Sequence, residues 1–169
     1  MIAGVCLLSR EAVFANAKIG VAATARLQQL ATEAQAEVDT ERRPIDADLT
    51  AFRAEAPRLT ADQRQAREQA LAARLAPVQA KAQQRSREID ATRAKALERI
   101  STEAQPVIAQ VYRQRNCGLL FDRSTALGGN FTNDLTAAVV QALDARISTI
   151  NFNREILPPT PPAAAPATR

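Results

Sequence analysis

The sequence predicts an α+β fold that is mostly α: a small β-containing body from which a long antiparallel helical hairpin protrudes. Three observations carry this. Of the 169 residues 46% are apolar, but 36 of those are Ala, with five Phe, one Tyr and no Trp, so only a small core can form. No Gly occurs in the 97 positions between Gly20 and Gly118, whereas all-β and doubly wound α/β folds need frequent Gly-marked turns. Within that interval a single turn signal, around Pro57 to Thr60, separates two long runs of helix-favouring Ala, Arg, Glu and Gln.

The elements follow in order. Residues 2–8 are rich in Ile, Val and Leu and read as a buried strand. Ser9 caps a short helix over 10–17, and Gly20 marks a break. A long helix then runs from about 21 to 56, with Ala31, Val38, Ile45 and Phe52 recurring every seven residues. Pro57 disfavours helix at Ala56. Thr60-Ala61-Asp62-Gln63 is a capping box, opening a second helix that ends near Arg115, with Leu71, Leu75, Val78, Ala82 and Ile89 on its stripe. About 36 residues at about 1.5 Å each make an arm of roughly 55 Å. Pro44 and Pro77 lie about midway along the two helices, opposite one another, and are hinge candidates.

After Asn116, residues 118–122 and 123–127 read as two short strands closed by the turn Gly128-Gly129-Asn130. Thr132 or Asn133 caps a last helix over 134–147, and 150–152 reads as an edge strand. The Pro/Ala-rich end cannot pack a core and reads as disordered. The domain reading is therefore body 2–19, hairpin 20–115 with its tip near 57–60, body 116–152 and tail 153–169. So small a body is short of core. Oligomerisation through Val5, Leu7, Leu119, Leu120, Phe121, Leu135 and Val139 would supply the missing burial.

Chemistry is restricted by what the chain lacks. It has no His, the commonest general base and metal ligand, no phosphate-binding Gly loop and no CxxC. No catalytic residue, metal site or cofactor is expected. Lys plus Arg is 22 and Asp plus Glu is 18, for a net charge of +4, which suits acidic partners. One Tyr and no Trp argue against a nucleic-acid-binding coiled coil, and the interior prolines argue against a purely structural stalk. Cys6 and Cys117 form a disulfide only if their strands bring them together. Antiparallel neighbours would do so, whereas parallel pairing would separate them by several residues. Residues 1–17 are apolar but lack a basic start and are interrupted by Arg10 and Glu11, so they read as part of a mature protein whose native signal peptide is absent.

The segment VIAQVYRQRNCGLLFDRSTALGGNFTNDLTAAVVQALD, residues 107–144, resembles the Skp/OmpH family of periplasmic chaperones. The start, IAGVCLLSREAVFANA, looks like that family's first strand and short helix. The resemblance implies a jellyfish-like homotrimer in the periplasm. Its hairpins would hold unfolded outer-membrane β-barrel proteins without ATP and keep them from aggregating; anionic lipid or lipopolysaccharide is a further expected partner, and nucleic acid is not. In such a cage the larger apolar groups of the outer arm (Leu49, Phe52, Leu59, Leu71, Leu75 and Val78) and the basic run Arg74, Lys81, Arg85 and Arg87 are the client-binding candidates. That run stands out because the first helix is net acidic, with four bases and seven acids over 26–56, while the second is net basic, with ten bases and six acids over 58–105.

Overall fold

A computed structural model describes residues 4–128 and 131–159. Residues 2–3 of the expected first strand, Gly129 and Asn130 of the expected turn, and residues 160–169 of the expected tail lie outside it. The chain divides into two units, Met1–Gln28 with Thr92–Asn153, and Gln29–Ala91 with Arg154–Arg169. Strand β1 is Val5–Leu8 and β2 is Leu119–Asp122. The helices are α1 (Arg10–Asn16), α2 (Lys18–Glu55), α3 (Ala61–Gln114) and α4 (Thr136–Arg146). Helices α2 and α3 form the long hairpin, and each runs through both units.

In the first unit, β1 and β2 pair in parallel, Val5 against Leu119 and Leu8 against Asp122. Cys6 and Leu8 point to a core completed by Val13, Ile19, Ile100, Val107, Val111, Leu135, Val139 and Leu143. Ile19, Ile100, Val139 and Leu143 are at most 1% exposed. Each contributes about 1.5–3 kcal/mol by leaving water, an upper figure because unfolded chains already bury some surface. Ser9 caps α1, accepting from the Ala12 amide at 3.1 Å. Gly20 does not break the chain as expected: it lies inside α2, and the bend is at Ala17, which is extended. Gly20 instead permits contact, because a Cβ there would sit 1.8 Å from the Phe14 carbonyl oxygen.

Helix α3 ends in a Schellman motif. Asn116 takes φ of 52°, the Cys117 amide donates to the Tyr112 carbonyl at 3.3 Å, and the Asn116 amide donates to the Arg113 carbonyl at 3.1 Å. Cys117 is thereby placed beside β1, and a disulfide joins it to Cys6 with Cα atoms 5.8 Å apart. Parallel strands, expected to preclude this bond, do not, because Cys117 lies in the turn before β2 and its offset is absorbed there. The bond closes a separation of 111 residues. In the chain-entropy account such a loop removes about 4–5 kcal/mol of unfolded-state freedom.

Three further expectations are corrected. Residues 123–127 form no strand: Arg123–Thr125 is a 3-10 turn capped by Asp122. Neither Thr132 nor Asn133 caps α4: its N-cap is Leu135, which has no side-chain cap, and the Asp134 carboxylate before it accepts from the Thr136 amide at 2.8 Å. Residues 150–152 form no strand either, yet Ile150 is buried and Phe152 packs on the core. Their carbonyl partners are side chains, Arg26 on Phe152 at 3.1 Å and Arg99 on Asn151 at 3.1 Å.

In the second unit, the hairpin tip is a 3-10 turn over Ala56–Arg58 followed by the capping box. The Thr60 amide donates to Gln63 Oε1 at 3.0 Å, and the Gln63 amide donates to Thr60 Oγ1 at 3.3 Å. Val38, Ile45 and Val78 are buried between the helices, with Leu71 and Leu75 against them. Pro44 and Pro77 lie on exposed positions and the helices continue through both.

Candidate client-binding surfaces

The hairpin pairs acids of α2 with bases of α3 in a regular ladder. Glu55 meets Arg67, Asp48 meets Arg74 at 2.5 Å, Glu41 meets Lys81 at 2.5 Å and Glu37 meets Arg85 at 2.7 Å. Within each pair the two residues are equally far from Ala61. The acidic partners therefore step back along α2 by seven, seven and four as the bases step forward along α3. The charge asymmetry of the two helices is thus complementary and internal. Arg74, Lys81 and Arg85, expected to face client, face the partner helix instead. This also weakens the nucleic-acid reading, since the basic run of α3 is already matched. The outer pairs are about half exposed, so each adds little stability. Their stronger effect is on register, since like charges would meet if the helices slipped.

The apolar candidates are likewise engaged in the hairpin. Phe52 and Val78 are buried, and Leu49, Leu59, Leu71 and Leu75 are partly buried. Leu71, Leu75 and Val78 lie in the seam itself. The steps of four and three that link Leu71, Leu75 and Val78 are the spacing of an intra-hairpin core.

Further along α2 and α3 the ladder ends in a denser cluster that sequence reasoning missed. Arg154, in the segment expected to be disordered from 153 onward, reaches Glu37 at 2.9 Å and Glu88 at 3.2 Å. Arg85 also bonds Glu88 at 2.8 Å. Glu88 is only 2% exposed. The Leu157 amide donates to Glu88 at 3.4 Å, and Gln84 Nε2 donates to the Leu157 carbonyl at 2.6 Å. Arg87, the fourth basic candidate, donates to Gln84 and to the Pro158 carbonyl. Residues 154–158 therefore lie against the hairpin as an ordered strap. Arg154 and Arg85 hold the Glu37 carboxyl below its usual range. Burial pushes Glu88 up, but Gln84 and Arg85 outweigh it and hold that carboxyl low as well. Arg85 is raised, chiefly by its bond to Glu37. Glu37, Glu88 and Arg85 are therefore all charged at neutral pH.

In the first unit the sheet offers a different surface. Alternation along the strands turns Val5, Leu7, Leu119 and Phe121 away from the core. Val5 is 50% exposed, Leu119 41% and Phe121 48%. Leu120 packs inward against the core, and Leu135 and Val139 are fully buried in it. Of the seven residues expected at an oligomer contact, these three serve the chain's own core. Near the sheet, Asp122 accepts from the Ser124 amide at 3.0 Å and hydroxyl at 2.8 Å and from Arg10 at 3.0 Å, which lowers its pKa to about 2. Asp134 is also low: Thr136 and Arg123 overcome the effect of its burial. Asp122 caps the 3-10 turn that follows it, and Asp134 accepts from the first residue of α4.

Among the described residues no group of three potential metal-ligating side chains occurs, and no helix is long and apolar enough to cross a membrane. The hairpin's opposite charges are matched largely between its own helices, and the outer face of the sheet leaves Val5, Leu119 and Phe121 exposed. A family model of OmpH-like outer membrane proteins matches residues 4–143. The chain belongs to this family. It is similar to the solved structure of an OmpH-like outer membrane chaperone from Caulobacter crescentus, with 36% identity, 91% of each chain covered and a TM-score of 0.77. No curated protein matches it significantly. Family membership supports a chaperone role.

Proposed function

We propose that this protein is an ATP-independent holdase of the periplasm that binds unfolded outer-membrane β-barrel proteins and prevents their aggregation. The observation that carries the reading is the match to the OmpH-like family, together with likeness to an OmpH-like outer membrane chaperone over 91% of both chains. The Cys6–Cys117 disulfide is consistent with it, since such bonds persist in oxidising compartments such as the periplasm. The working form in this reading is a homotrimer joined through the sheet face, with three hairpins around the client. Pro44 and Pro77, facing out of the seam, would act as hinges that let each hairpin adapt. Anionic lipid or lipopolysaccharide remains a further proposed partner.

A urea-unfolded outer-membrane barrel protein, diluted into buffer with three subunits of this protein per client, should show strongly reduced light scattering. Scattering equal to that of the client alone would refute the holdase reading.

A further inference from the structure

We infer that Gln84, Arg87 and Glu88 of α3, with Glu37 of α2, form a binding site for an extended peptide backbone, which residues 154–158 of this chain occupy as a built-in ligand until an unfolded polypeptide displaces them. Displacement by client rests on the holdase reading; the site itself rests on geometry.

Both main-chain groups of Leu157 are met by side chains. Its carbonyl accepts from Gln84 Nε2 at 2.6 Å and its amide donates to Glu88 Oε1 at 3.4 Å. The next carbonyl, that of Pro158, accepts from Arg87 at 3.4 Å. Every residue except Pro offers the same amide and carbonyl pair, so this reading is almost indifferent to sequence. Side chains add little on the strap's other face: Ile156 is 87% exposed. One position is selective. The Arg154 guanidinium sits between Glu37 and the buried Glu88, so the site takes an extended segment with a basic residue three positions before the backbone contact. The strap has no helix or ladder of its own, and these side chains replace the partners its backbone would otherwise find in water.

A tethered occupant competes at an effective concentration on the order of millimolar. An outside peptide of modest affinity is therefore masked until the tether is weakened. The test uses the full-length chain and a labelled peptide of sequence Asn-Arg-Glu-Ile-Leu-Pro-Pro, followed by fluorescence anisotropy. Arg154→Ala should bind the peptide about tenfold more tightly than wild type, and adding Gln84→Ala should cancel the gain. Leu157→Pro, which removes the strap's amide donor and leaves Gln84, Arg87 and Glu88 unchanged, is a second release variant, and circular dichroism checks that each is folded. Equal peptide affinity in wild type and both release variants would overturn the site. Client suppression is measured in parallel. Released variants should suppress scattering at lower subunit ratios, and unchanged suppression despite tighter peptide binding would overturn displacement by client. Tighter peptide binding with no suppression by any form would leave the site standing and remove the holdase reading. Full suppression with no gain in peptide binding would do the reverse.

Discussion

Replacing one hydrogen of Gly20 by a methyl group would put a carbon 1.8 Å from the Phe14 carbonyl oxygen. The obstacle is backbone, so no rotamer change relieves it. Gly20→Ala should cost about 3 kcal/mol or more, measured by urea unfolding; a cost under about 1 kcal/mol would show that α1 can move away freely. Asp122 acts at the same scale through its charge. Ser124 first, and then Arg10, depress its pKa from 3.8 to about 2. A carboxylate depressed in the folded state contributes stability that is complete above about pH 4 and lost as pH falls toward 2. Asp122→Asn should therefore lower the melting temperature at pH 5 and converge with wild type near pH 2. An equal gap at both pH values would mean the charge is not the cause.

At the scale of elements, the ladder between α2 and α3 makes a prediction of its own. Reversing Glu41 and Lys81 singly places like charges across the seam, whereas Glu41→Lys with Lys81→Glu restores the pair. Each single change should cost about 0.5–1 kcal/mol and the double change should recover most of it. No recovery would show that the pair does not set register. The hairpin was legible in the sequence where its signals are local. The Thr60–Gln63 capping box and the heptad of Val38, Ile45 and Phe52 depend on neighbours a few residues away, and both elements formed. The opposite charges of the two helices were equally visible. Their meaning was missed because it appears only when positions are counted outward from Ala61. The strap was hidden for a related reason. Arg154 meets Glu37 across 117 positions, and the prolines after Leu157 suggested disorder, although Arg154 and Leu157 themselves precede them. Parallel pairing of β1 and β2 was also out of reach, because the left-handed turn at Asn116 that reconciles it with the disulfide has no glycine to announce it.

For the molecule as a whole, the exposed sheet face is the main unmet demand. Two strands are too few to form a stable sheet alone, and here their inner side is satisfied by the core while the outer side presents Val5, Leu7, Leu119 and Phe121. An exposed run of large apolar groups on adjacent strands marks an association surface. Residues 135 and 139 cannot test this, since they serve the chain's own core and their loss would unfold it. Phe121 can: it is 48% exposed, so Phe121→Glu removes apolar surface from the outer face while leaving the core intact. In the proposed trimer three such carboxylates would crowd one contact, an arrangement that like-charge repulsion opposes. Wild type should scatter light as three chains, and Phe121→Glu as one chain of 18.2 kDa with unchanged helical circular dichroism. If the oligomer survives the substitution, the contact between copies lies elsewhere than the sheet. If wild type is itself a single chain, the enclosing cage falls with it, and any holding activity must then be a property of one hairpin acting alone.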